Sequence, residues 1–288
     1  MIVVRLCGGL GNQLFQYAAG RSLAARWGTE LVLDLDWYRR TPATDTPRTF
    51  ELDKFHVAAR RMTETEERRA GLHHGRLLRR LPWFPRAWKH VRERDANFDP
   101  AILRTPDNAY LDGYWQSPLY FENTALLLRK ELAIHAAPSP QDTQVLNSMA
   151  KSRAVALHVR RGDYLTNRSA IQVHGTSGKD YYASAMRKIS EQIADPHYFV
   201  FSDDVQWARE NLTFPGDVSF VAHNGANDAV NDLHLMASCD HQIIANSSFS
   251  WWAAWLNPHS EKMVIAPGRW FADGRPTPDL IPASWVRL

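Results

Sequence analysis

Two wound α/β halves joined by a proline-containing linker are what this sequence predicts. Three observations carry that reading. Short apolar runs alternate with segments of helical periodicity, the pattern of parallel strands with helical crossovers. A glycine turn, Gly8-Gly9-Leu10-Gly11-Asn12, follows the first apolar run and opens a helix. Between two stretches of alternation lies Ala137-Pro138-Ser139-Pro140-Gln141-Asp142, which reads as a hinge. The expected domains are therefore 1–138 and 139–288.

In the first half, Ile2 to Leu6 is a strand. Leu14, Tyr17, Ala18, Arg21 and Ala25 trace one side of a helix, and Leu31-Val32-Leu33 is the next strand. Thr41 to Pro47 is polar and proline-containing, hence a loop. Arg68 to Arg92 carries Arg68, Arg69, Arg76, Arg79, Arg80, Arg86, Lys89 and Arg92 with no acid between them; Trp83, Phe84 and Trp88 are interleaved. This reads as a basic helical arm. In the second half, strands are expected at Ala154 to Val159, His197 to Phe201, Val218 to Ala222, Gln242 to Ala245 and Met263 to Ala266. Helices are expected at Tyr181 to Ala194, through Trp207, at Asp228 to Ser238 and at Phe249 to Leu256.

Composition narrows the class. Hydrophobic residues make up 44% and charged residues 23% of the 288, as in a globular protein with a real core. A net charge of +3, from 34 basic and 31 acidic side chains, gives no reason to expect a nucleic-acid partner. Two cysteines, Cys7 and Cys239, cannot build a disulfide framework or a four-thiolate zinc site, and both read as buried thiols. No HExxH or His/Cys ligand spacing appears among the 12 histidines. No basic n-region precedes an apolar stretch, and no apolar run approaches about 18 residues. The expectation is a soluble, cytoplasmic protein.

Open parallel sheets bind ligands at the carboxyl ends of their strands, and four such ends carry suitable chemistry. The first is His158-Val159-Arg160-Arg161-Gly162-Asp163. Alternation puts His158 and Arg160 on one face and Arg161 on the other, where it can pair with Asp163. A guanidinium fork matches phosphate oxygens; a solvated surface loop is the plain alternative. At Ser202-Asp203-Asp204, an aspartate can cap the next helix or accept hydrogen bonds from a base or ribose. At the start of the late helix, Asp232 can take both guanine donors, its ring N–H and exocyclic amine, or merely favour the helix dipole. Asn246-Ser247-Ser248 opens the last helix, where Ser247 and Ser248 suit phosphate oxygens or serve as caps. Trp251, Trp252 and Trp255 read as core.

The N-terminal Gly8-Gly9-Leu10-Gly11-Asn12-Gln13 lacks the third glycine of a dinucleotide fingerprint. It still permits close approach to a pyrophosphate or sugar, with Asn12 as the polar contact. Asp34-Leu35-Asp36 has the form of a metal-binding DxD pair but ends a strand of the first βαβ unit, and no metal is assigned to it.

At these motifs the chain resembles the bacterial α-1,2-fucosyltransferases of glycosyltransferase family 11. The similar stretches are Gly8 to Gln13 with Phe15-Gln16-Tyr17, then His158 to Tyr164, Phe201 to Asp204 and Asn246 to Trp252. The resemblance implies a GT-B type fold of two Rossmann-like domains facing a cleft, GDP-fucose as donor, inversion and no metal cofactor. It places the acceptor side in the first half and the nucleotide in the second. It assigns Arg160 to the diphosphate, His158 to the nucleotide, Asp232 to guanine, Ser247 and Ser248 near phosphates, and Gly11 with Asn12 beside the sugar phosphate. One departure stands out: where α-1,6 relatives carry a glutamate suggested as base, this sequence has Arg168. Asp163 is the alternative candidate for deprotonating the acceptor.

The expected reaction is fucosyl transfer to a hydroxyl, O2 of a terminal galactose, on an oligosaccharide or lipid-linked glycan. Rival readings are an NAD-dependent oxidoreductase using the glycine turn and a non-catalytic carbohydrate-binding protein suggested by 11 tryptophans. The basic aromatic segment is expected either to touch an anionic membrane peripherally, at its inner face, or to be a solvated and partly packed arm.

Overall fold

The computed structural model describes residues 1–42, 46–69, 88–134, 137–162, 175–225 and 228–288, with Arg69 described by its main chain alone. The chain divides into two compact units, Met1–Ala133 with Pro278–Leu280, and Ile134–Thr277 with Ile281–Leu288.

In the first unit, five strands form a parallel sheet: β1 (Ile2–Arg5), β2 (Leu31–Asp34), β3 (Arg60–Arg61), β4 (Lys89–Arg92) and β5 (Ala109–Asp112), in the order β3-β2-β1-β5-β4. Its described helices are α1 (Leu10–Trp27), α2 (Asp36–Arg39), α3 (Glu64–Arg69) and α4 (Ala125–Glu131). Fully buried Ile2, Val3 and Val4 show why β1 is an unbroken apolar run: a parallel strand is covered on both faces. One face packs Val3, Val32, Met62, Trp88 and Tyr110 together.

The second unit holds β6 (Arg153–Val159), β7 (Pro196–Ser202), β8 (Asp217–Val221), β9 (His241–Ile243), β10 (Val264–Ala266) and β11 (Val286–Arg287). They lie parallel in the order β11-β10-β9-β6-β7-β8. Its described helices are α5 (Pro140–Met149), α6 (Lys179–Ser190), α7 (Val205–Asn211), α8 (Ala229–Ala237) and α9 (Ser248–Leu256). Tyr182, Ala185 and Ile189 press one face of α6 onto Val155, Leu157 and Val200 of the sheet. The chain thus has the two parallel-sheet α/β units expected of GT-B glycosyltransferases.

Each sheet reverses direction beside its first strand. In the first unit β1 lies between β2 and β5, and in the second β6 lies between β7 and β9. The crossovers diverge there, leaving a crevice at the carboxyl ends of β1 and β5 and another at those of β6 and β9.

Three expectations are corrected. The segment read as a hinge is the start of α5: Ser139 caps it, accepting the Asp142 N–H, while Asp142 accepts the Ser139 N–H. Pro140, the first helical residue, pre-sets the first turn instead of loosening a linker. The basic segment is not one helical arm either. Within the described residues α3 covers Glu64–Arg69, Lys89–Arg92 is strand β4, and Trp88 is buried in the core. Arg76, Arg79, Arg80, Trp83, Phe84 and Arg86 lie outside the described residues. Finally, the chain returns to the first unit at Pro278–Leu280 rather than crossing once. Among the described residues no helix is long and apolar enough to cross a membrane.

Candidate functional site

The second unit's crevice is built from the ends of three strands. His158 is the penultimate residue of β6 and is 5% exposed; its carbonyl accepts the Tyr182 hydroxyl at 3.1 Å. Its ring lies 5.8 Å from that of Phe249 in the first turn of α9, so the β6 and β9 ends meet here. Burial, and after it the Arg160 charge, push the imidazole down to about 4. His158 is therefore neutral at physiological pH, and among the described residues its Nδ1 has no hydrogen-bond partner. Positive charge at this strand end is left to arginine.

Arg160 and Arg161 directly follow β6 and pair with successive carboxylates. An Arg160 Nη1 lies 3.0 Å from Asp203 Oδ2, and both side chains are about one-quarter exposed. The other Asp203 oxygen accepts the Arg161 N–H at 2.8 Å. Asp203, one residue past β7, thereby locks the β6 end and fixes where Arg160 points. A Cβ on Gly162 would sit 2.8 Å from Asp203 Oδ2, so only glycine lets this carboxylate come so close. Arg161 stacks over Trp207 at 4.0 Å and lies 3.5 Å from Asp204. Among the described residues its ion-pair partner is Asp204; Asp163 and Arg168 lie outside the described residues. Capping also divides cleanly, because Asp204 accepts the Trp207 N–H as N-cap of α7 and Asp203 does not.

Across the crevice, Ser247 is the N-cap of α9, yet its side chain caps no first-turn amide, and no acid lies in that turn. Trp251 and Trp252, fully buried, clamp the helix to the core. This leaves a rigid, positively polarised helix end beside His158, suited to phosphate oxygens. Ser248 is its first residue.

Asp232 lies in the first turn of α8. Burial pushes its carboxyl up to about 6. Asn224 Nδ2 donates to Asp232 at 2.8 Å and to Asp142 at 3.1 Å, and His223 Nε2 lies 2.8 Å from the same Asp142 oxygen. One Asp232 oxygen is thus oriented by a network running back to the α5 cap, which sequence reasoning missed.

In the first unit, Gly8 adopts φ +78°, and a Cβ there would approach Asn12 Nδ2 to 2.7 Å. Gly9 is the N-cap of α1, and Gly11 and Asn12 lie in its first turn, with no side-chain cap and no acid. Gln116, just beyond β5, donates to Asn12 Oδ1 at 2.9 Å and so spans the β1–β5 crevice. Gln13 donates to the Gly8 and Thr49 carbonyls, and Gln16 accepts the Cys7 N–H. The glutamines of the motif therefore hold the turn rigid. Arg48, not flagged from sequence, lies against Gly9, its Nε 3.8 Å from where a Cβ would be.

The DxD pair is occupied internally. Asp34 is buried and accepts the Tyr110 hydroxyl and the Asp36 N–H, while Asp36 lies within ion-pair range of Arg39 and Arg40. Among the described residues no group of three or more His, Cys, Asp or Glu side chains is arranged to hold a metal ion. Both cysteines are free and buried.

Residues 83–287 match the family model described as Glycosyl transferase family 11. The chain is 31% identical over 300 residues to the O-antigen biosynthesis glycosyltransferase WbnK of Escherichia coli, covering 98% of this chain and 99% of the relative. It is 30% identical over 295 residues to an α-1,2-colitosyltransferase of Escherichia coli, covering 100% and 99%. The fucosyltransferase NodZ from Bradyrhizobium superposes with a TM-score of 0.49 at 17% identity, covering 90% of this chain and 95% of that one. Two parallel-sheet units, matched in sequence along their whole length by sugar transferases, define this protein as a glycosyltransferase. It belongs to glycosyl transferase family 11.

Proposed function

We propose that this chain transfers L-fucose from GDP-fucose, with inversion and without a metal ion, to O2 of a terminal galactose on a glycan acceptor. The observation that carries the reading is the β6–β9 crevice, where Arg160, held by Asp203, and neutral His158 meet the uncapped start of α9. Arg160, His158, Ser247 and Ser248 are assigned to the diphosphate and Asp232 to guanine. Gly11 and Asn12 of the glycine turn are assigned to the sugar phosphate of the donor.

In this reaction the acceptor oxygen forms a bond to the anomeric carbon as the bond to the β-phosphate oxygen breaks. The electron pair leaves with GDP, and the acceptor proton passes to a base. Negative charge grows on the diphosphate, so fixed donors aimed there stabilise the transition state. Arg160 supplies a permanent charge and the α9 amides supply aligned dipoles. Asp163 remains the candidate base. The defining assay is incubation with GDP-fucose and lactose in EDTA, with the product linkage read by NMR. Absence of fucosyl transfer to every galactose-terminated acceptor tried would refute the reading.

The 30% identical colitosyltransferase supports a second donor. Colitose is fucose without its 3-hydroxyl. A pocket that hydrogen-bonds that hydroxyl rejects colitose by about 10⁴-fold, whereas an apolar one discriminates far less. Side-by-side kcat/KM for GDP-fucose and GDP-colitose separates the two.

A further inference from the structure

The first unit holds a recess that the donor reading leaves unused. At the carboxyl ends of β4 and β5 lies a cleft of about 320 Å³, lined in part by Phe98, Trp115 and Tyr120. Its place is informative. Trp115 lines the cleft, while the next residue, Gln116, reaches the β1–β5 crevice and holds Asn12. Two consecutive residues thus join this recess to the glycine turn.

Its polar groups are incomplete. Trp115 is fully buried, yet among the described residues its Nε1 has no hydrogen-bond partner, and neither has Asn97 Oδ1 on the same lining. Buried polar atoms are nearly always paired, so two orphans in one cleft call for a ligand that completes them. One is a donor and the other an acceptor. A hydroxyl serves both, taking a hydrogen bond from an indole N–H and giving one to an amide oxygen. A phosphate only accepts, and it would meet more acids (Glu93, Asp95 and Asp99) than arginines (Arg92 and Arg94) on the lining.

The walls are fixed in advance. Glu93 accepts the Tyr114 and Trp115 amides at 2.6 and 2.8 Å, Asp95 accepts that of Asn97, and Asp99 that of Ala101. Trp115 holds φ +56°, unusual for a bulky side chain and found where surroundings over-determine the backbone. Tyr120 meets Phe98 at 4.9 Å and Trp115 at 5.7 Å, both edge-on. Rigid aromatic walls with a few convergent polar atoms suit a ring that is apolar on one face and hydroxylated at its rim.

We propose that this cleft binds a neutral pyranose unit of the acceptor glycan. The assignment rests on the transferase reading above and names where its acceptor sits. The test compares wild type with Asn97→Ala and Trp115→Phe, measuring KM for lactose, kcat, and GDP affinity by calorimetry. Each variant is expected to raise the lactose KM about fivefold or more, as loss of one buried hydrogen bond requires, while GDP affinity stays at the wild-type value. An unchanged lactose KM in Asn97→Ala with intact GDP binding would overturn the assignment, even though fucosyl transfer itself persisted. Asn97→Ala keeps the main-chain bond to Asp95 and so carries the test if Trp115→Phe does not fold. Should wild type transfer no fucose at all, the functional reading fails separately. Saturation-transfer NMR with lactose then decides the cleft: a lactose signal that vanishes in Asn97→Ala supports it, and no signal in wild type overturns it.

Discussion

The two crevices share a topology and differ in chemistry. Both lie beside the first strand of a wound parallel sheet, and both meet a helix start without a side-chain cap or a first-turn acid. In the first unit the turn is fixed by neutral amides, Gln13, Gln16 and Gln116, around a glycine at φ +78°. In the second, the fixing is ionic: Asp203 holds Arg160 and the Arg161 amide, and Asp232 is kept buried by Asn224. The same fold feature has thus been furnished twice. Once it carries a glycine turn held by amides beside an Arg5–Asp112 ion pair at the strand ends, and once an arginine held by a carboxylate at the site itself. Topology locates a site, but only the side chains decide what it binds.

Breaking the charged crevice should have the larger consequences. Arg160→Ala is expected to lower kcat/KM for GDP-fucose by at least about a hundredfold, the scale of losing one fixed transition-state donor. Arg160→Lys should recover little, since the fork is lost. Next comes Asp232→Asn, which removes a charged acceptor and should weaken GDP binding about tenfold or more. Asp232 also sets a pH dependence. Burial pushes its carboxyl up to about 6, and on the proposed assignment only the ionised form accepts both guanine donors. GDP affinity should be full above that pH and fall as pH drops through it, by up to about tenfold per unit, with Asp232→Asn flattening the profile. Asp203→Ala is expected to cost about tenfold in kcat/KM. Combined with Arg160→Ala it should add little, since both changes remove the same oriented guanidinium. The smallest effect on the nucleotide should follow a change in the first unit's glycine turn. Gly8→Ala forces a Cβ against Asn12 at positive φ and should destabilise the fold by about 1–2 kcal/mol, seen as a lower Tm. GDP affinity should fall far less than in Arg160→Ala, and an equal loss would erase the contrast between the two crevices.

Much of this was legible because motif residues sit at strand ends. The apolar surroundings of Cys239 and of the α9 tryptophans marked them as core, and they are buried. What stayed hidden has physical reasons. Strands β3, β4 and β11 are short and rich in arginine or lysine, so no apolar run announces them. Register is supplied by the neighbouring strand, not by the segment's own pattern. The pairs Asp203–Arg160 and His223–Asp142 join residues 43 and 81 positions apart, beyond any local rule. The start of α5 was different, since Ser139 and Asp142 spell a capping box with proline at the first helical position. There the signal was present, and composition outweighed it in the reading.

The most direct test of a guanidinium-centred nucleotide site is calorimetric titration of GDP in the presence of EDTA, into wild type and Arg160→Ala. Saturable uptake by wild type, weakened at least about tenfold in the variant, is the expected result. No uptake by wild type in EDTA, or equal affinity in the two proteins, would contradict it.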